Sequence, residues 1–480
     1  MISAPPFKTC KKPGYQAAFC FVSATALVAC VGSEPVISNV QEPSVIEMRA
    51  DAIAKADLEI GKCPGMAISI TQQGKSIYKK GFGVTSIETG EAVGPDVIFP
   101  IGSITKSFTA LAIAQLAVDG KVDIDASIAE YFDDLPEGWE EIRIRHLLDH
   151  TSGIFNYTNS SALQKTMSED YDFSKLREIW EAEPLSFTPG SQWSYSNSGY
   201  YLLGKIIEKA SGLSYPDYLQ QRIIIPFGLT DTAYPKVPEK ESGVQGYFVV
   251  DGKPVPAPPW SPTIPFSAGA LLSTVGDLSD YSEAVHNSPK VSDAVREIVY
   301  AKNLVSGETI PYALGGLNLQ EIDGRKVYSH PGSVSGHTSF FSYYPEDNVS
   351  IAVLTNCDDS LIHPSSTERK LARAVFGEAQ PTYQDVALST AERNSILGNF
   401  SIAPMNFPTS TVGFSDREGT IYAVFGGVES EYFSIPLRYV GNGIFVSQGD
   451  EEFAIHFNTV DGKAREARFM MYGGWMIGKR

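Results

Sequence analysis

The sequence contains few basic residues for its length. Its 480 residues include 38 Lys and Arg against 56 Asp and Glu, which leaves a formal net charge of -18 at pH 7. Proteins that bind nucleic acids usually carry a basic stripe, and no such stripe offsets the acidic excess here. We therefore expect no nucleic-acid partner. Apolar residues make up 43% of the chain, enough to build a hydrophobic core.

Metal-binding motifs are also missing. The chain has 7 histidines and 5 cysteines, but no H-E-x-x-H motif and no paired C-x-x-C. These are the spacings that most often hold zinc, so we expect no metal and no other cofactor. His146 and His150 lie in a leucine-containing, helix-like stretch, and we interpret both as structural. Asp277 is expected to cap a helix.

The longest uncharged apolar run is too short to span a bilayer. It covers residues 15–29, "YQAAFCFVSATALVA", and follows Lys8, Lys11 and Lys12. Positive charges followed by a short apolar segment are typical of an export signal. We therefore predict a signal peptide over residues 1–29.

The end of this signal, "LVAC", resembles the lipobox of bacterial lipoproteins. The resemblance implies cleavage before Cys30 and lipid attachment to that cysteine. A plain secretory signal with a chance cysteine is the alternative. The polar, proline-containing residues 30–43 suit a tether. We expect an exported protein of the bacterial cell envelope, periplasmic or on the outer surface, held to the membrane by lipid on Cys30.

Two cysteines remain in the body of the chain. Export to an oxidising compartment permits a disulfide between Cys63 and Cys357. Sequence does not give their separation in space, and two buried free thiols are an equal alternative.

The length predicts two domains. The pattern from residue 44 predicts a helix, followed by a hairpin that turns at Gln73-Gly74. A long helical region follows, and strands return near residues 337–356 with a turn at 345–348. This order predicts an α+β domain over residues 44–380, an antiparallel sheet flanked by helices with a helical subdomain inserted.

The last hundred residues, 381–480, show strand patterns almost throughout. Phe433, Ile435 and Leu437 alternate with polar residues, and Asn442-Gly443 and Asp461-Gly462 are turn signals. We predict a small all-β domain, either a barrel or a sandwich.

Serine and lysine three residues apart, S-x-x-K, occur twice in the chain. Ser76 and Lys79 lie in the first hairpin, where residues three apart point to opposite faces of the sheet. Ser103 and Lys106 instead open a helical segment ending at Gly120, and residues i and i+3 of a helix share a face. The second pair is therefore the candidate nucleophile and base, although Ser103 as a simple helix cap is an alternative.

Two further motifs carry groups suited to acyl transfer. Tyr195-Ser-Asn197 precedes a helix and supplies a phenol and an amide. A second Y-x-N at Tyr157 shows that this spacing also occurs by chance. His330-Pro-Gly332 leads into a strand.

Together, Ser103-Ile-Thr-Lys106, Tyr195-Ser-Asn197 and His330-Pro-Gly332 resemble the three motifs of the serine β-lactamase-related family. That family includes class C β-lactamases, D-specific peptidases and esterases of β-lactamase fold. The flanking segments "IRIRHLLDHTSGI" and "SAGALLSTVGDL" are also similar to it. The resemblance covers roughly residues 45–375 and implies a β-lactamase/transpeptidase-like fold.

The resemblance assigns roles to particular residues. Ser103 would be the acylated nucleophile, Lys106 the amine that activates it, and Tyr195 the group that passes protons to the leaving group. Either Lys106 or Tyr195 is the base. Asn197 would hold the substrate, and the backbone N–H groups of Ser103 and Ser333 would form the oxyanion hole.

The third motif departs from the β-lactamase pattern. His330 stands where β-lactamases usually carry lysine, and Pro331 replaces a threonine. Both changes weaken recognition of a substrate carboxylate, although the "GHT" of residues 336–338 is an alternative source of donors. Gly332 is expected to be small so that the strand approaches the acyl group closely.

The predicted function is that of an envelope serine hydrolase. It would form an acyl-enzyme on amide or ester substrates such as D-amino-acid peptides or small esters, and would therefore bind a small-molecule or peptide substrate. The alternatives are a β-lactamase and a non-catalytic penicillin-binding or sensor protein. A further alternative places the main function in residues 381–480 as an interaction module.

Overall fold

The computed structural model describes residues 44–235, 243–305, 308–310, 312–358, 360–402, 411–430, 433–471 and 474–480. The predicted signal peptide, the tether and Cys30 lie outside the described residues. Within the described residues, no helix combines the length and apolarity needed to cross a bilayer.

The helices follow the expected capping chemistry. The first begins after Ser44, whose side chain and Glu47 form a reciprocal capping box. In chain order the helices are α1 (Val45–Gly61), α2 (Thr105–Val118), α3 (Ile144–Leu148), α4 (Ser161–Gln164), α5 (Phe173–Glu181), α6 (Asn197–Ser211), α7 (Tyr215–Leu219), α8 (Ile225–Phe227), α9 (Phe266–Gly269), α10 (Val275–His286), α11 (Asp293–Val299), α12 (Pro364–Phe376) and α13 (Thr390–Ile396).

The described strands before residue 380 form one large sheet and three small ones. Their bounds are β1 (Gly65–Gln72), β2 (Lys75–Gly83), β3 (Phe99–Pro100), β4 (Tyr247–Val250), β5 (Lys253–Pro256), β6 (Leu272–Ser273), β7 (Leu304–Val305), β8 (Glu308–Thr309), β9 (Tyr312–Ala313), β10 (Leu317–Ile322), β11 (Arg325–Val334), β12 (His337–Tyr344), β13 (Val349–Thr355) and β14 (Cys357–Asp358). The large sheet is antiparallel, in the order β2-β1-β13-β12-β11-β10-β9.

This sheet joins the two ends of the first domain, as the sequence predicts. Ile68 of β1 pairs with Val353 of β13 in the middle of the sheet. Ile68 packs with α1 and α12 on one face, whereas the neighbouring Ser69 donates a hydrogen bond to the Val275 carbonyl of α10 on the other. The helical region inserted between β2 and β9 lies on the α10 face, and it contains α2 and α6.

One capping prediction is wrong. Thr274, not Asp277, is the N-cap of α10, and its side chain accepts a hydrogen bond from the Asp277 N–H. The Asp277 carboxylate instead accepts hydrogen bonds from the backbone N–H of Asp231 and the hydroxyl of Thr232. It therefore ties the loop after α8 to α10.

The C-terminal strands close into a barrel, which decides between the two predicted architectures. Its strands are β15 (Gly398–Ile402), β16 (Thr411–Arg417), β17 (Thr420–Phe425), β18 (Phe433–Gly441), β19 (Ile444–Ser447), β20 (Ala454–Val460), β21 (Lys463–Met471) and β22 (Gly474–Lys479). Each strand pairs with the next, and β22 pairs with β15. Buried phenylalanines such as Phe400, Phe414 and Phe457 fill the interior.

Buried ion pairs join the barrel to the first domain. Arg369 and Arg373 of α12 both contact the carboxylate of Glu452, in the loop between β19 and β20. Lys370 lies 2.7 Å from Asp57 of α1 and 3.2 Å from Asp450 of the same loop. The two buried carboxylates raise the pKa of Lys370 and keep it charged.

The two body cysteines form a disulfide. Cys63 and Cys357 have Cα atoms 5.4 Å apart and close a loop of 294 residues in sequence. The bond links the segment before β1 to the start of β14. Of the two alternatives left open by the sequence, the structure shows the bridge.

Candidate active site

Ser103 and Lys106 lie on one continuous turn of chain. Ser103 is the middle residue of a 3₁₀ turn over Gly102–Ile104, which runs directly into α2. Lys106 is the second residue of α2 and has no exposed surface, whereas Ser103 is only partly buried. The Lys106 Nζ is 3.0 Å from the Ser103 Oγ. The predicted pairing is therefore present, and the Ser103 side chain meets the lysine rather than serving as a helix cap.

Three oxygen atoms surround the Lys106 amine. Besides Ser103 Oγ, the Nζ atom lies 2.7 Å from Asn197 Oδ1 and 2.7 Å from the Ala268 carbonyl oxygen. The amide and the carbonyl oxygens only accept hydrogen bonds, whereas the serine hydroxyl can also donate.

The protonation state of Lys106 determines what this arrangement does. Burial lowers the pKa of Lys106 well below its usual value, because the charged form loses its water. A neutral amine has two N–H bonds and one lone pair. Asn197 and Ala268 take the two N–H bonds, so the lone pair is directed at the Ser103 hydroxyl. In the neutral form of Lys106 this geometry is the one that a general base needs beside a nucleophile. The catalytic roles of both residues stay predictions.

Tyr195 completes this group from a second segment. Its hydroxyl hydrogen-bonds the side chain of Ser103, and its ring centroid is 4.7 Å from the Lys106 Nζ. Burial raises the pKa of Tyr195, so the phenol stays protonated. Burial thus favours the neutral form of both groups, and which of Lys106 and Tyr195 is the base stays a prediction.

The amide of Asn197 is oriented by a loop about 40 residues earlier in the chain. Its Nδ2 donates a 3.1 Å hydrogen bond to Thr158 Oγ1, and its backbone N–H donates to Asn156 Oδ1 at 3.1 Å. Thr158 belongs to the second Y-x-N, which therefore lies next to the site. The result is that the Asn197 Oδ1 faces Lys106; substrate binding by Asn197 stays a prediction.

His150 holds the segment that carries Tyr195. Its Nδ1 accepts a hydrogen bond from the Ser196 N–H at 3.1 Å, and its carbonyl accepts one from the Ser194 N–H at 2.8 Å. The imidazole packs on the Tyr195 ring at 4.2 Å between centroids. His150 is thus structural, as expected, but its place beside Tyr195 was not apparent from the sequence.

Two glycines let strand β11 approach the nucleophile. A Cβ on Gly332 would lie 2.1 Å from the Ile101 carbonyl oxygen, and a Cβ on Gly102 would lie 2.6 Å from the Ser333 nitrogen. Gly332 therefore leaves room for the turn that carries Ser103, and Ser333 N lies close to Gly102, the residue before Ser103. The close approach of an acyl group and the oxyanion hole stay predictions.

His330 is a buried residue of the same strand. Its Nδ1 faces the Pro331 carbonyl, so this atom carries the proton, and Nε2 accepts a 2.9 Å hydrogen bond from the Tyr312 hydroxyl. Burial lowers the pKa of His330 to about 3, because the charged ring loses its water. The ring is therefore neutral and committed to protein partners; its assignment to substrate binding stays a prediction.

The "GHT" segment does not offer free donors at the oxyanion strand. The ring nitrogens of His337 face the carbonyl oxygens of Ser335 and Val244. The Thr338 hydroxyl is shared between Thr355 Oγ1 and the Cys357 carbonyl. The alternative source of donors for a substrate carboxylate is therefore occupied.

The predicted geometry of the other S-x-x-K pair is wrong. A bulge in β2 aligns Ser76 with Thr71 and Lys79 with Ser69 of β1, so the two side chains lie on the same face of the sheet. The Lys79 Nζ forms an ion pair with Asp96 at 2.8 Å. The same sequence motif thus gives an exposed lysine on a strand and a buried lysine on a helix.

The chain belongs to the Beta-lactamase family, whose model matches residues 50–374. Two curated relatives agree. Penicillin-binding protein 4* of Bacillus subtilis (strain 168) is 26% identical over 64% of this chain and 71% of its own length. Protein flp of Staphylococcus aureus (strain NCTC 8325 / PS 47) is 27% identical over 66% of this chain, and the match spans 64% of that protein.

Solved structures show the same fold. The octameric penicillin-binding protein homologue from Pyrococcus abyssi is 25% identical, with a TM-score of 0.62 over 90% of this chain and 99% of its own. The D-amino acid amidase from Ochrobactrum anthropi SV3 is 23% identical, with a TM-score of 0.61 over 70% of this chain and 99% of its own. The match to the Pyrococcus abyssi structure includes the barrel as well as the α+β domain.

Proposed function

We propose that this protein is a serine hydrolase that forms an acyl-enzyme on Ser103 and acts on amides or esters, such as D-amino-acid peptides or small esters. The observation that supports it most directly is the Lys106 amine, which is buried and lies 3.0 Å from the Ser103 hydroxyl, with its two other hydrogen bonds made to acceptor oxygens and its pKa lowered by burial. The chain belongs to the Beta-lactamase family and shares its fold with a D-amino acid amidase, and both findings support hydrolysis of this kind.

The proposed reaction uses these groups in sequence. Lys106 takes the proton of Ser103, and the Ser103 Oγ attacks the substrate carbonyl carbon. The N–H groups of Ser103 and Ser333 hold the negative oxygen. The proton then passes through Tyr195 to the departing nitrogen or oxygen as the bond to it breaks. A water molecule attacks the ester carbonyl in the same way, releases the acid and returns the proton to Ser103.

Intact-mass measurement tests the nucleophile. The purified protein is exposed separately to a fluorophosphonate, a penicillin and a chromogenic ester, and we expect one covalent adduct on Ser103. Ser103→Ala should abolish it. The matched control is Ser76→Ala, which removes the serine of the other S-x-x-K and should leave labelling unchanged. An adduct that survives in Ser103→Ala contradicts the proposal.

The same experiment separates the alternatives. A penicillin adduct that persists for hours indicates a penicillin-binding protein, whereas rapid release of penicilloate indicates a β-lactamase. Comparing hydrolysis of a D-Ala-D-Ala peptide, a D-amino-acid amide and a short-chain ester then identifies the substrate class. Labelling of Ser103 without turnover of any of them favours the sensor alternative.

We also propose that the protein is exported and anchored by lipid on Cys30. The disulfide between Cys63 and Cys357 supports this, because such bonds persist in oxidising compartments. The test is fractionation of cells that express the full chain. We expect the protein in the membrane fraction, and Cys30→Ser in the soluble fraction. Equal membrane association of both forms would refute the anchor.

A further inference from the structure

His150 contacts the chain on both sides of Tyr195. The Ser194 N–H donates a 2.8 Å hydrogen bond to the His150 carbonyl oxygen, and the Ser196 N–H donates a 3.1 Å hydrogen bond to the His150 Nδ1. Between these two contacts the imidazole packs on the phenol ring, with 4.2 Å between the ring centroids. One histidine therefore holds the residue before Tyr195, the residue after it and the ring of Tyr195 itself.

The hydrogen bond from Ser196 decides the tautomer of His150. An Nδ1 atom that accepts a hydrogen bond carries no proton, so the proton of the neutral ring lies on Nε2. Burial lowers the pKa of His150 well below its usual value, because the charged ring would lose its water. The ring is therefore neutral near neutral pH, and its Nδ1 stays available to the Ser196 N–H.

Two features of His150 are unfavourable for the fold. Its backbone has a φ of 63°, a left-handed conformation that is uncommon for residues other than glycine. Its side chain is 1% exposed, and the Nε2 has no hydrogen-bond partner among the described residues. A buried N–H without an acceptor destabilises a fold, and a ring that served packing alone, such as that of phenylalanine, would not carry one. Unfavourable groups of this kind are frequent at functional sites.

Aromatic side chains enclose the rest of the imidazole. The ring centroids of Tyr312, Tyr200 and Trp193 lie 4.7, 5.1 and 5.9 Å from that of His150. Tyr200 and Tyr312 are themselves buried. The imidazole therefore has little room to turn, and its contact with Tyr195 is fixed.

We propose that His150 is a positioning residue of the reaction, which holds the Tyr195 hydroxyl where a proton passes to the departing group. This inference rests on the proposed serine hydrolase function, in which that proton comes from Ser103 and ends on the leaving oxygen or nitrogen. His150 takes no part in bond making. It acts through the backbone of Ser194 and Ser196 and through the packing of its ring on Tyr195.

The proposal has a consequence for the range of substrates. A strongly basic leaving group, such as an alkoxide or an amide nitrogen, must be protonated as it departs, whereas a weakly basic one, such as p-nitrophenolate, departs without a proton. Displacement of the Tyr195 hydroxyl would therefore slow the first kind of substrate and leave the second almost unaffected. His150 thus extends the reaction from activated esters to alkyl esters and amides.

Three acetate esters test the proposal. p-Nitrophenyl acetate, phenyl acetate and ethyl acetate transfer the same acyl group, and the basicity of the leaving oxygen increases in that order. His150→Leu removes the acceptor for the Ser196 N–H, whereas His150→Asn has nearly the same shape and keeps an acceptor oxygen near the position of Nδ1. We expect His150→Leu to lower kcat/KM about 10- to 100-fold for ethyl acetate and less than about 3-fold for p-nitrophenyl acetate. His150→Asn should restore most of the loss.

Two comparisons show whether the effect passes through Tyr195. In a Tyr195→Phe background, His150→Leu should lower kcat/KM for ethyl acetate no further, since no hydroxyl remains to be positioned. The matched control is His146→Leu. The Nδ1 of His146 also accepts a backbone N–H, from Arg143 at 3.2 Å, but at the start of α3. This variant should lower the thermal stability and leave the ratios between the three esters unchanged.

Thermal denaturation shows which variants are folded. If His150→Leu is unfolded, His150→Phe takes its place, because it keeps an aromatic ring and also lacks the acceptor. If neither folds, His150→Asn decides, since a selective loss with ethyl acetate in that variant overturns the inference and normal ratios support it.

The other outcomes are distinct. An equal loss with all three esters in folded His150→Leu, or no loss, overturns this inference alone, because fluorophosphonate labelling of Ser103 still supports the proposed function. A further loss with ethyl acetate in the double variant with Tyr195→Phe overturns it as well, as does an unaltered protein that hydrolyses p-nitrophenyl acetate but not ethyl acetate. Absence of labelling at Ser103 refutes the proposed function, and the inference with it.

Discussion

Replacing Gly332 by alanine tests how closely strand β11 must approach the nucleophile. A Cβ at this position would lie 2.1 Å from the Ile101 carbonyl oxygen and 2.3 Å from Ser339 Oγ. Those two atoms are themselves joined by a 2.9 Å hydrogen bond. The added methyl group therefore enters the contact that fixes the Ser103 turn against the strand.

The expected effect follows from these distances. Real Cβ atoms do not come within 3.0 Å of such neighbours, so strand and turn must separate by about 1 Å. A displacement of that size at a reacting centre costs roughly 100-fold in rate, and loss of an oxyanion donor costs roughly 100- to 1,000-fold. Overpacking a close contact destabilises a fold by about 1–3 kcal/mol. We expect Gly332→Ala to show both effects.

The assay measures the rate of fluorophosphonate labelling, kcat/KM for a chromogenic ester, and urea denaturation. The matched control is Gly94→Ala, where the nearest atom to an added Cβ is 3.9 Å away, so rate and stability should be unchanged. Ser339→Ala removes the hydrogen bond to Ile101 without adding a methyl group. It should cost about 1 kcal/mol of stability and little activity.

The double variant Gly332→Ala with Ser339→Ala tests which of the two close contacts limits the reaction. Removing the Ser339 hydroxyl relieves the 2.3 Å contact but leaves the 2.1 Å contact with Ile101. The labelling rate should therefore stay low. Full recovery in the double variant, or normal labelling by a folded Gly332→Ala protein, would show that the approach of β11 to the nucleophile does not limit the reaction.

Three other predictions concern the base, the disulfide and the barrel. Because burial lowers the pKa of Lys106, kcat/KM for an ester should rise with pH through an ionisation well below 10.5 and then level off. Lys106→Met should reduce kcat/KM for the same ester about 100- to 10,000-fold. A pH profile that still rises above 10.5 contradicts a neutral lysine. Reducing the disulfide between Cys63 and Cys357 should lower the free energy of unfolding by up to about 5 kcal/mol, because the bond closes a 294-residue loop. Equal denaturation midpoints with and without reductant would refute this prediction. Glu452→Gln should destabilise the protein by about 3 kcal/mol, because Arg369 and Arg373 then stay buried without their carboxylate partner. An unchanged midpoint of urea denaturation would show that water takes the place of the carboxylate.

Several features of the fold were predictable because they depend on local chemistry. Strand alternation, turn residues such as Asn442-Gly443 and the Ser44 capping box are readable within a few positions of the chain. The helical spacing of Ser103 and Lys106 is likewise a local pattern. Local spacing failed for Ser76 and Lys79, because the bulge in β2 adds one residue and brings both side chains to the same face of the sheet.

Other features depend on segments that are distant in sequence. Asn156 and Thr158 orient Asn197 from about 40 residues away, and no local pattern distinguishes them from ordinary loop residues. His150 likewise meets Tyr195 only after folding. The misassigned cap at Asp277 has the same origin, since its partners lie in the loop after α8.

The sequence by itself determined the family, the fold class and the candidate reacting groups, since these follow from residue types and short spacings. Tertiary structure decided the rest. Burial lowers the pKa of Lys106, packing of β11 against the Ser103 turn requires glycine at 332, and folding brings Asn156 and Thr158 to Asn197. Each depends on desolvation or contact between segments far apart in the chain, and such proximity is not encoded in any local pattern.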